Sequence, residues 1–240
     1  MTTISTTRPA RSDVTEEPAA APVRRGRLWA LSGIGAGLAG IGTVVTSSGV
    51  DAVYNPDLAG NSEAIAAELA TQTTSMLAFH TVTVLCALLT VVFAAGLHRR
   101  LAERLPHTST LPLVAFAGLL GTAVVSVLGS GLDTEFALGL GAGDGAVTAD
   151  SAILYNHWVG TIPWVWVLAG LAGAAVFGAA RQGAVPRWIG WVGLVLGGLT
   201  LLVGLSPLQY LAAAPGVLWL LVTATGFVLG DKAYRGTARS

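Results

Sequence analysis

Long apolar runs that contain no Asp, Glu, Lys or Arg are the feature that most constrains the fold of this chain. An α-helix needs about 20 apolar residues to cross the hydrocarbon core of a bilayer. Within that core a helix also satisfies its backbone hydrogen bonds inside a single segment. Six such runs lie at residues 28–50, 75–97, 111–132, 153–180, 188–205 and 211–229. We therefore predict an all-α integral membrane bundle of six transmembrane helices.

The composition excludes several other classes of protein. Of the 240 residues, 53% are hydrophobic and 11% are charged, whereas soluble domains carry about 25% charged residues. The formal net charge is zero, so there is no broad basic surface to attract nucleic acid. The single cysteine, Cys86, excludes an internal disulfide and any zinc site built from several cysteines. The lipid bilayer is the expected partner.

The distribution of charge predicts the topology. All 13 Lys and Arg residues fall before the first run, after the second and fourth runs, or after the sixth. Basic loops remain on the cytoplasmic side of a membrane. We therefore predict a bacterial inner (plasma) membrane protein with both termini cytoplasmic. Its parts are a disordered cytoplasmic tail at 1–27, a transmembrane domain at 28–230 and a second cytoplasmic tail at 231–240.

Glycines are spaced for helix contact within two of the runs. Gly33 and Gly37 are four residues apart, as are Gly193 and Gly197, so each pair lies on one helical face. Small residues at this spacing allow two membrane helices to approach closely. These faces are predicted to pack helices within the chain or to join copies of it as a homo-oligomer.

Two parts of the chain share a pattern. The first run ends with Ser48-Gly49-Val50-Asp51 and the third with Ser130-Gly131-Leu132-Asp133. Each is followed by an acidic connection and then by a run with a histidine near its start, His80 or His157. The pattern suggests a parallel repeat of spans 1–2 and 3–4. The alternative is that Ser, Gly and Asp simply end helices well.

Polar residues near one end of the bundle form the candidate site. Ionisable groups within membrane spans are costly and commonly functional. Each histidine lies about five residues inside its run, so both are expected at similar depth in the outer leaflet. The candidate polar or metal site comprises His80, His157, Asp51, Asp133, Glu135 and Asn156.

Three functional hypotheses follow from this site. The favoured one is a structural, accessory or partner-binding membrane protein that needs no cofactor and is not an enzyme. A metal- or haem-binding redox protein using His80 and His157 is an alternative, because imidazoles ligate haem iron and transition metals. A small proton-coupled transporter is another, because histidine titrates near neutral pH. No nucleophile motif of a lipid-metabolising enzyme is present.

Pro163 predicts a kink in the fourth run, just inside His157. Proline cannot donate a backbone hydrogen bond to the carbonyl four residues earlier, and its ring presses on the preceding turn. The carbonyl of Val159 is therefore freed, and a threonine hydroxyl or a water is expected to satisfy it.

The segment Arg187-Trp188-Ile189-Gly190-Trp191-Val192-Gly193 places a basic turn before a glycine-rich span. Together with one Lys against 12 Arg, it resembles small polytopic membrane proteins of unknown function from high-GC actinobacteria. The resemblance covers this motif and the general topology. It implies a membrane bundle and carries no catalytic or binding residue to this chain.

Overall fold

The computed structural model describes residues 27–143 and 145–230. The two predicted tails, at 1–27 and 231–240, lie outside the described residues except for Arg27. Within the described ranges the regular structure is entirely helical.

Ten α-helices are described. They are α1 (Leu28–Ser47), α2 (Ser62–Thr71), α3 (Thr73–Ala102), α4 (Leu111–Gly129), α5 (Asp133–Ala142), α6 (Ala149–Thr161), α7 (Val167–Arg181), α8 (Arg187–Val192), α9 (Gly198–Leu205) and α10 (Ala213–Gly230). Short 3₁₀ turns lie at Ala52–Tyr54, Pro56–Leu58, Ile162–Trp164 and Gln209–Leu211. A π-helical turn, Gly193–Gly197, makes α8 and α9 one continuous span.

Six helical segments in the described ranges are long and apolar enough to cross a membrane. They are Leu28–Ser47, Thr73–Ala102, Leu111–Ala142, Ala149–Arg181, Arg187–Leu205 and Gln209–Gly230. The prediction of an all-α bundle with six spans is therefore confirmed, and the chain is a multi-pass membrane protein.

The spans pack in chain order. Helix α1 packs on α3, α3 on α4, α4 on α7, and α7 on the α8–α9 span, while α10 returns to contact α1. The largest buried core lies among these helices and includes Trp29, Phe93 and Trp219. Trp29 stacks on Phe93 with ring centroids 5.6 Å apart.

Close approach between spans depends on glycine. A methyl group at Gly33 would meet Phe93 and Ala224, and one at Gly37 would meet Leu221. Both Gly193 and Gly197 lie against the backbone of Gly173 in α7. The four glycines singled out by their spacing thus lie at contacts within the chain.

One end of the bundle carries the connections 48–72, 143–148 and 206–212. We call it the acidic end, because together these connections contain Asp and Glu residues and no Lys or Arg. The opposite end, with the connections 103–110 and 182–186, is the basic end. A second buried core lies at the acidic end, where α2, α5 and α6 cover the start of α3. Its buried residues include Leu69, Met76, Phe79 and Tyr155.

The fourth span is interrupted at Pro163, as the sequence predicts. Helix α6 ends at Thr161, a 3₁₀ turn follows, and α7 begins at Val167. The carbonyl of Val159 accepts a hydrogen bond from the Trp164 indole Nε1 at 3.2 Å. A neighbouring indole thus takes the role that was expected of a threonine hydroxyl or a water.

The contact between the fourth and fifth spans provides a stability test. An alanine Cβ at Gly197 would lie 2.8 Å from the Gly173 Cα, whereas one at Gly198 would have no atom within 4 Å. Overpacking costs about 1–3 kcal/mol, and replacing a helical glycine with alanine gains up to about 1 kcal/mol. Gly197→Ala should therefore lower the free energy of unfolding by up to about 3 kcal/mol, measured by circular dichroism in detergent.

Gly198→Ala is the matched control, because it makes the same chemical change one residue away. It should leave stability unchanged or raise it. Equal destabilisation by the two variants would contradict the packing described for α7 and α9.

Candidate functional site

The candidate polar residues at the acidic end fall into separate groups of contacts. Asp133 and His80 lie between α3, α4 and α5, while Asn156 ties α6 to the segment after α1. His157 faces a cavity together with Asp51. Glu135 is exposed on α5.

Asp133 is the centre of the first group, which we call the Asp133 cluster (His80, Ser130, Asp133 and Tyr155). The Tyr155 hydroxyl donates to Asp133 Oδ1 at 3.0 Å. His80 Nδ1 lies 3.0 Å from the Ser130 carbonyl oxygen and 3.8 Å from Asp133 Oδ2. Because a carbonyl oxygen can only accept, this geometry assigns a proton to His80 Nδ1.

The Asp133 cluster is largely buried. Asp133 and Tyr155 are 0% exposed, and the Tyr155 ring stacks on Phe136 at 4.5 Å with an interplanar angle of 7°. A buried carboxyl group with few hydrogen bonds is costly. Asp133 is the first residue of α5, where the helix dipole favours negative charge. Through the contacts of Asp133 with His80 and Tyr155, the cluster joins α3, α5 and α6. We call such a contact a tie.

Asn156 forms a second tie. Its side-chain Nδ2 donates to the Val50 carbonyl at 2.7 Å, and its Oδ1 accepts from the Val53 backbone N–H at 2.8 Å. The residue is fully buried. One side-chain amide thus satisfies two backbone groups just beyond α1 and joins that segment to α6.

The two ties are reciprocal between the predicted repeats. His80 in the second span contacts the end of the third span at Ser130. Asn156 in the fourth span contacts the end of the first span at Val50, which corresponds to Leu132 in the repeat pattern. The contacting residues are not at equivalent positions of the pattern, since His80 matches His157 and Ser130 matches Ser48, so the repeat stays a prediction.

A cavity of about 930 Å³ lies beside the second tie, and we call it the acidic-end cavity. It is bounded by the end of α1, the 3₁₀ turn at Ala52–Tyr54, the broken fourth span and the turn before α10. Its lining residues are Val44, Val45, Ser47, Ser48, Val50, Asp51, Tyr54, His157, Gly160, Thr161, Trp164 and Tyr210.

Tyr54 is held in the wall of the acidic-end cavity. Its hydroxyl lies over Gly160, where any side chain would collide with it. Its ring meets the His157 ring edge-on at 5.9 Å. Burial raises the pKa of Tyr54 above its ordinary value, and the nearby Tyr210 raises it further. At neutral pH the Tyr54 hydroxyl is therefore an uncharged donor.

Asp51 lies at the rim of the cavity. Its Oδ1 accepts a hydrogen bond from Gln72 Nε2 at 3.0 Å, and its backbone N–H donates to Gln72 Oε1 at 3.1 Å. Among residues 27–143 and 145–230, no Lys or Arg lines the cavity. Its ionisable side chains are one carboxyl group, one imidazole and two phenols.

The two histidines have different neighbours. His80 belongs to the Asp133 cluster, and His157 contacts Tyr54 in a cavity whose lining does not include His80. In the part of the chain that the structure describes, no group of three or more His, Cys, Asp or Glu residues could hold a metal ion. The geometry therefore offers no support for a shared two-histidine metal or haem site.

Several residues of the site were not singled out from the sequence. Tyr54, Trp164 and Tyr210 line the cavity, and Tyr155 holds Asp133. The available signal for Tyr155 and Tyr210 was their position near span ends, where Tyr and Trp are enriched at the interface between lipid and water.

No protein-family model, curated protein sequence or solved structure matches this chain.

Tyr155 tests the role of the Asp133 cluster. Tyr155→Phe keeps the ring that stacks on Phe136 and removes the only hydroxyl that donates to Asp133 Oδ1. Leaving a buried polar group without its partner costs about 1–3 kcal/mol. We expect the free energy of unfolding in detergent to fall by that amount.

Tyr210→Phe is the control, because Tyr210 is 41% exposed and such surface changes stay within about 0.5 kcal/mol. If Tyr155→Phe were as stable as the control, the cluster would not tie the helices together.

Proposed function

We propose that this protein binds an amphiphilic molecule of the bilayer in the acidic-end cavity. Ligand binding of this kind is a narrower form of the accessory role expected from the sequence. The proposal rests on one observation: the polarity of the cavity wall changes along the direction of the spans.

Two elements support this gradient independently. Along α1 and the segment after it, Val44 and Val45 precede Ser47, Ser48 and Asp51, so the lining becomes mainly polar as the chain leaves the bundle, although Val50 among them is apolar. The fourth span enters in the opposite direction, and its lining residues run from His157 through Thr161 to Trp164. Both walls therefore place apolar groups deep and polar groups shallow.

The size and openness of the cavity suit a lipid-like ligand. Small-molecule sites commonly enclose about 300–1,000 Å³, and the cavity measures about 930 Å³. Val45 is 65% exposed, so the cavity is open beside α1 and an alkyl chain could enter from the bilayer. The tail of the ligand would lie against Val44, Val45 and Trp164.

The charges of the cavity select the head of the ligand. Asp51 supplies a carboxyl group, and none of the described residues that line the wall is basic. An anionic head would therefore meet repulsion without a compensating cation. The hydroxyls of Tyr54 and Tyr210 and the His157 ring can hydrogen-bond an uncharged head, and aromatic faces attract cations. We assign the head as neutral or cationic.

The orientation of the protein follows from its charges. We infer that both termini are cytoplasmic in a bacterial inner membrane, because the connections at the acidic end carry no Lys or Arg, whereas those at the basic end carry or adjoin Arg99, Arg100, Arg104, Arg181 and Arg187. The acidic-end cavity then opens towards the outer leaflet.

A filled cavity tests the proposal. Val45→Trp adds a large side chain at an exposed lining position, and Val195→Trp makes the same change at a lipid-facing position that is 61% exposed and lies outside the cavity. Displacing two methylene groups of a ligand costs about 1.6 kcal/mol. This loss of binding free energy lowers the affinity more than tenfold. Hexadecanol and hexadecyltrimethylammonium should each bind the delipidated wild type once, measured by native mass spectrometry.

Affinity for both probes should fall about tenfold or more in Val45→Trp and stay within about twofold in Val195→Trp. Hexadecyl sulfate should displace bound hexadecanol less effectively than hexadecyltrimethylammonium does. Equal binding to the two tryptophan variants would contradict the cavity as the site, and more effective displacement by the sulfate would contradict the assignment of the head.

A further inference from the structure

A second cavity lies at the opposite end of the molecule, and its chemistry differs from that of the acidic-end cavity. This basic-end cavity measures about 410 Å³ and is formed where the fourth span ends and the fifth begins. Its lining residues are Phe177, Ala180, Arg181, Arg187 and Trp191.

The local fold brings the two arginines together. Helix α7 ends at Arg181, the chain turns through Gly183 at φ 74°, and α8 begins at Arg187 after Pro186. The Ala184 backbone N–H donates to the Ala179 carbonyl at 3.0 Å and closes the turn. Gly190 packs so closely on Ala180 that a methyl group there would collide. The tight contact holds both arginine backbones beside one cavity.

The two guanidinium groups have no anionic partner among residues 27–143 and 145–230. Neither Arg181 nor Arg187 forms an ion pair or a hydrogen bond with a described residue, and both are exposed. Two cations therefore face the same space, where an anion would reduce their mutual repulsion.

The rest of the lining is aromatic and apolar. The Phe177 and Trp191 rings lie 5.8 Å apart at an angle of 55°, and Trp191 is 59% exposed. Tryptophan at a span end lies at the depth of lipid headgroups. The cavity thus offers two cations at headgroup level and an aromatic surface directed along the span.

We propose that the basic-end cavity binds the phosphate group of an anionic phospholipid. Arginine recognises phosphate through paired, charge-assisted hydrogen bonds. The glycerol and first acyl carbons would lie against Trp191 and Phe177. This site is independent of the acidic-end cavity, which carries no cation and selects against anionic heads.

General attraction of anionic lipid to basic residues is the competing explanation, because each Arg near a membrane surface contributes about 1 kcal/mol. The chain offers a matched control for it. Arg99 and Arg104 lie at the same end, are exposed, and line neither this cavity nor the acidic-end cavity. A double substitution there removes the same charge without touching the basic-end cavity.

The experiment compares four delipidated proteins by native mass spectrometry with phosphatidylglycerol and phosphatidylcholine as probes. They are the wild type, Arg181→Gln with Arg187→Gln, Arg99→Gln with Arg104→Gln, and Trp191→Leu. The wild type should prefer phosphatidylglycerol. Its affinity for this lipid should fall about tenfold or more in the Arg181/Arg187 variant and by about twofold or less in the Arg99/Arg104 variant.

Trp191→Leu should weaken phosphatidylglycerol binding about three- to tenfold with the net charge unchanged. Circular dichroism and a single elution peak establish that each variant is folded. Equal losses in the two arginine variants would overturn the site in favour of diffuse attraction. Complete displacement of the lipid by millimolar inorganic phosphate, with no effect of Trp191→Leu, would overturn the lipid assignment in favour of free phosphate.

Discussion

The break in the fourth span is the constraint on which the acidic end depends. An unpaired backbone carbonyl is costly in a bilayer, and at Pro163 the Trp164 indole donates to the Val159 carbonyl. The Trp166 indole likewise donates to the Pro163 carbonyl at 3.0 Å. The ring of Pro163 packs on Gly129 at the end of α4. These contacts let α6 leave the axis of α7, and the acidic-end cavity occupies the space beside it.

Buried polar groups at the acidic end connect helices, and the groups that can meet a ligand lie elsewhere. Asn156 and the Asp133 cluster use their hydrogen bonds on backbone groups and on each other. His157 and Tyr54 instead face the cavity. The two ties hold the wall of the acidic-end cavity in place, and the side chains of His157 and Tyr54 remain available to a ligand. In the described part of the chain, basic side chains line the cavity at the basic end and not the acidic-end cavity, so the two proposed sites would divide ligands by charge.

Hydrophobic runs, glycine spacing and Pro163 were sufficient to predict the six spans, four close helix contacts and the break. Helical rise predicted that His80 and His157 lie at similar depth, but depth does not determine which neighbouring span a side chain faces. His80 therefore could not be assigned to Ser130, nor His157 to Tyr54. Tyr54 lies in a connection whose path depends on Asn156, a contact between residues about 100 positions apart. Periodicity carries no information on such contacts.

The position of a bound amphiphile tests directly whether the acidic-end cavity is its binding site. A hexadecyltrimethylammonium analogue with a diazirine near the end of its chain would be photolysed with the protein in lipid nanodiscs, and the adducts mapped by mass spectrometry. We expect adducts on the peptides containing Val44, Val45 and Trp164. Excess unlabelled hexadecyltrimethylammonium should prevent their formation. Adducts spread evenly over lipid-facing residues such as Leu88 and Leu202, unchanged by that competitor, would contradict the acidic-end cavity as the site.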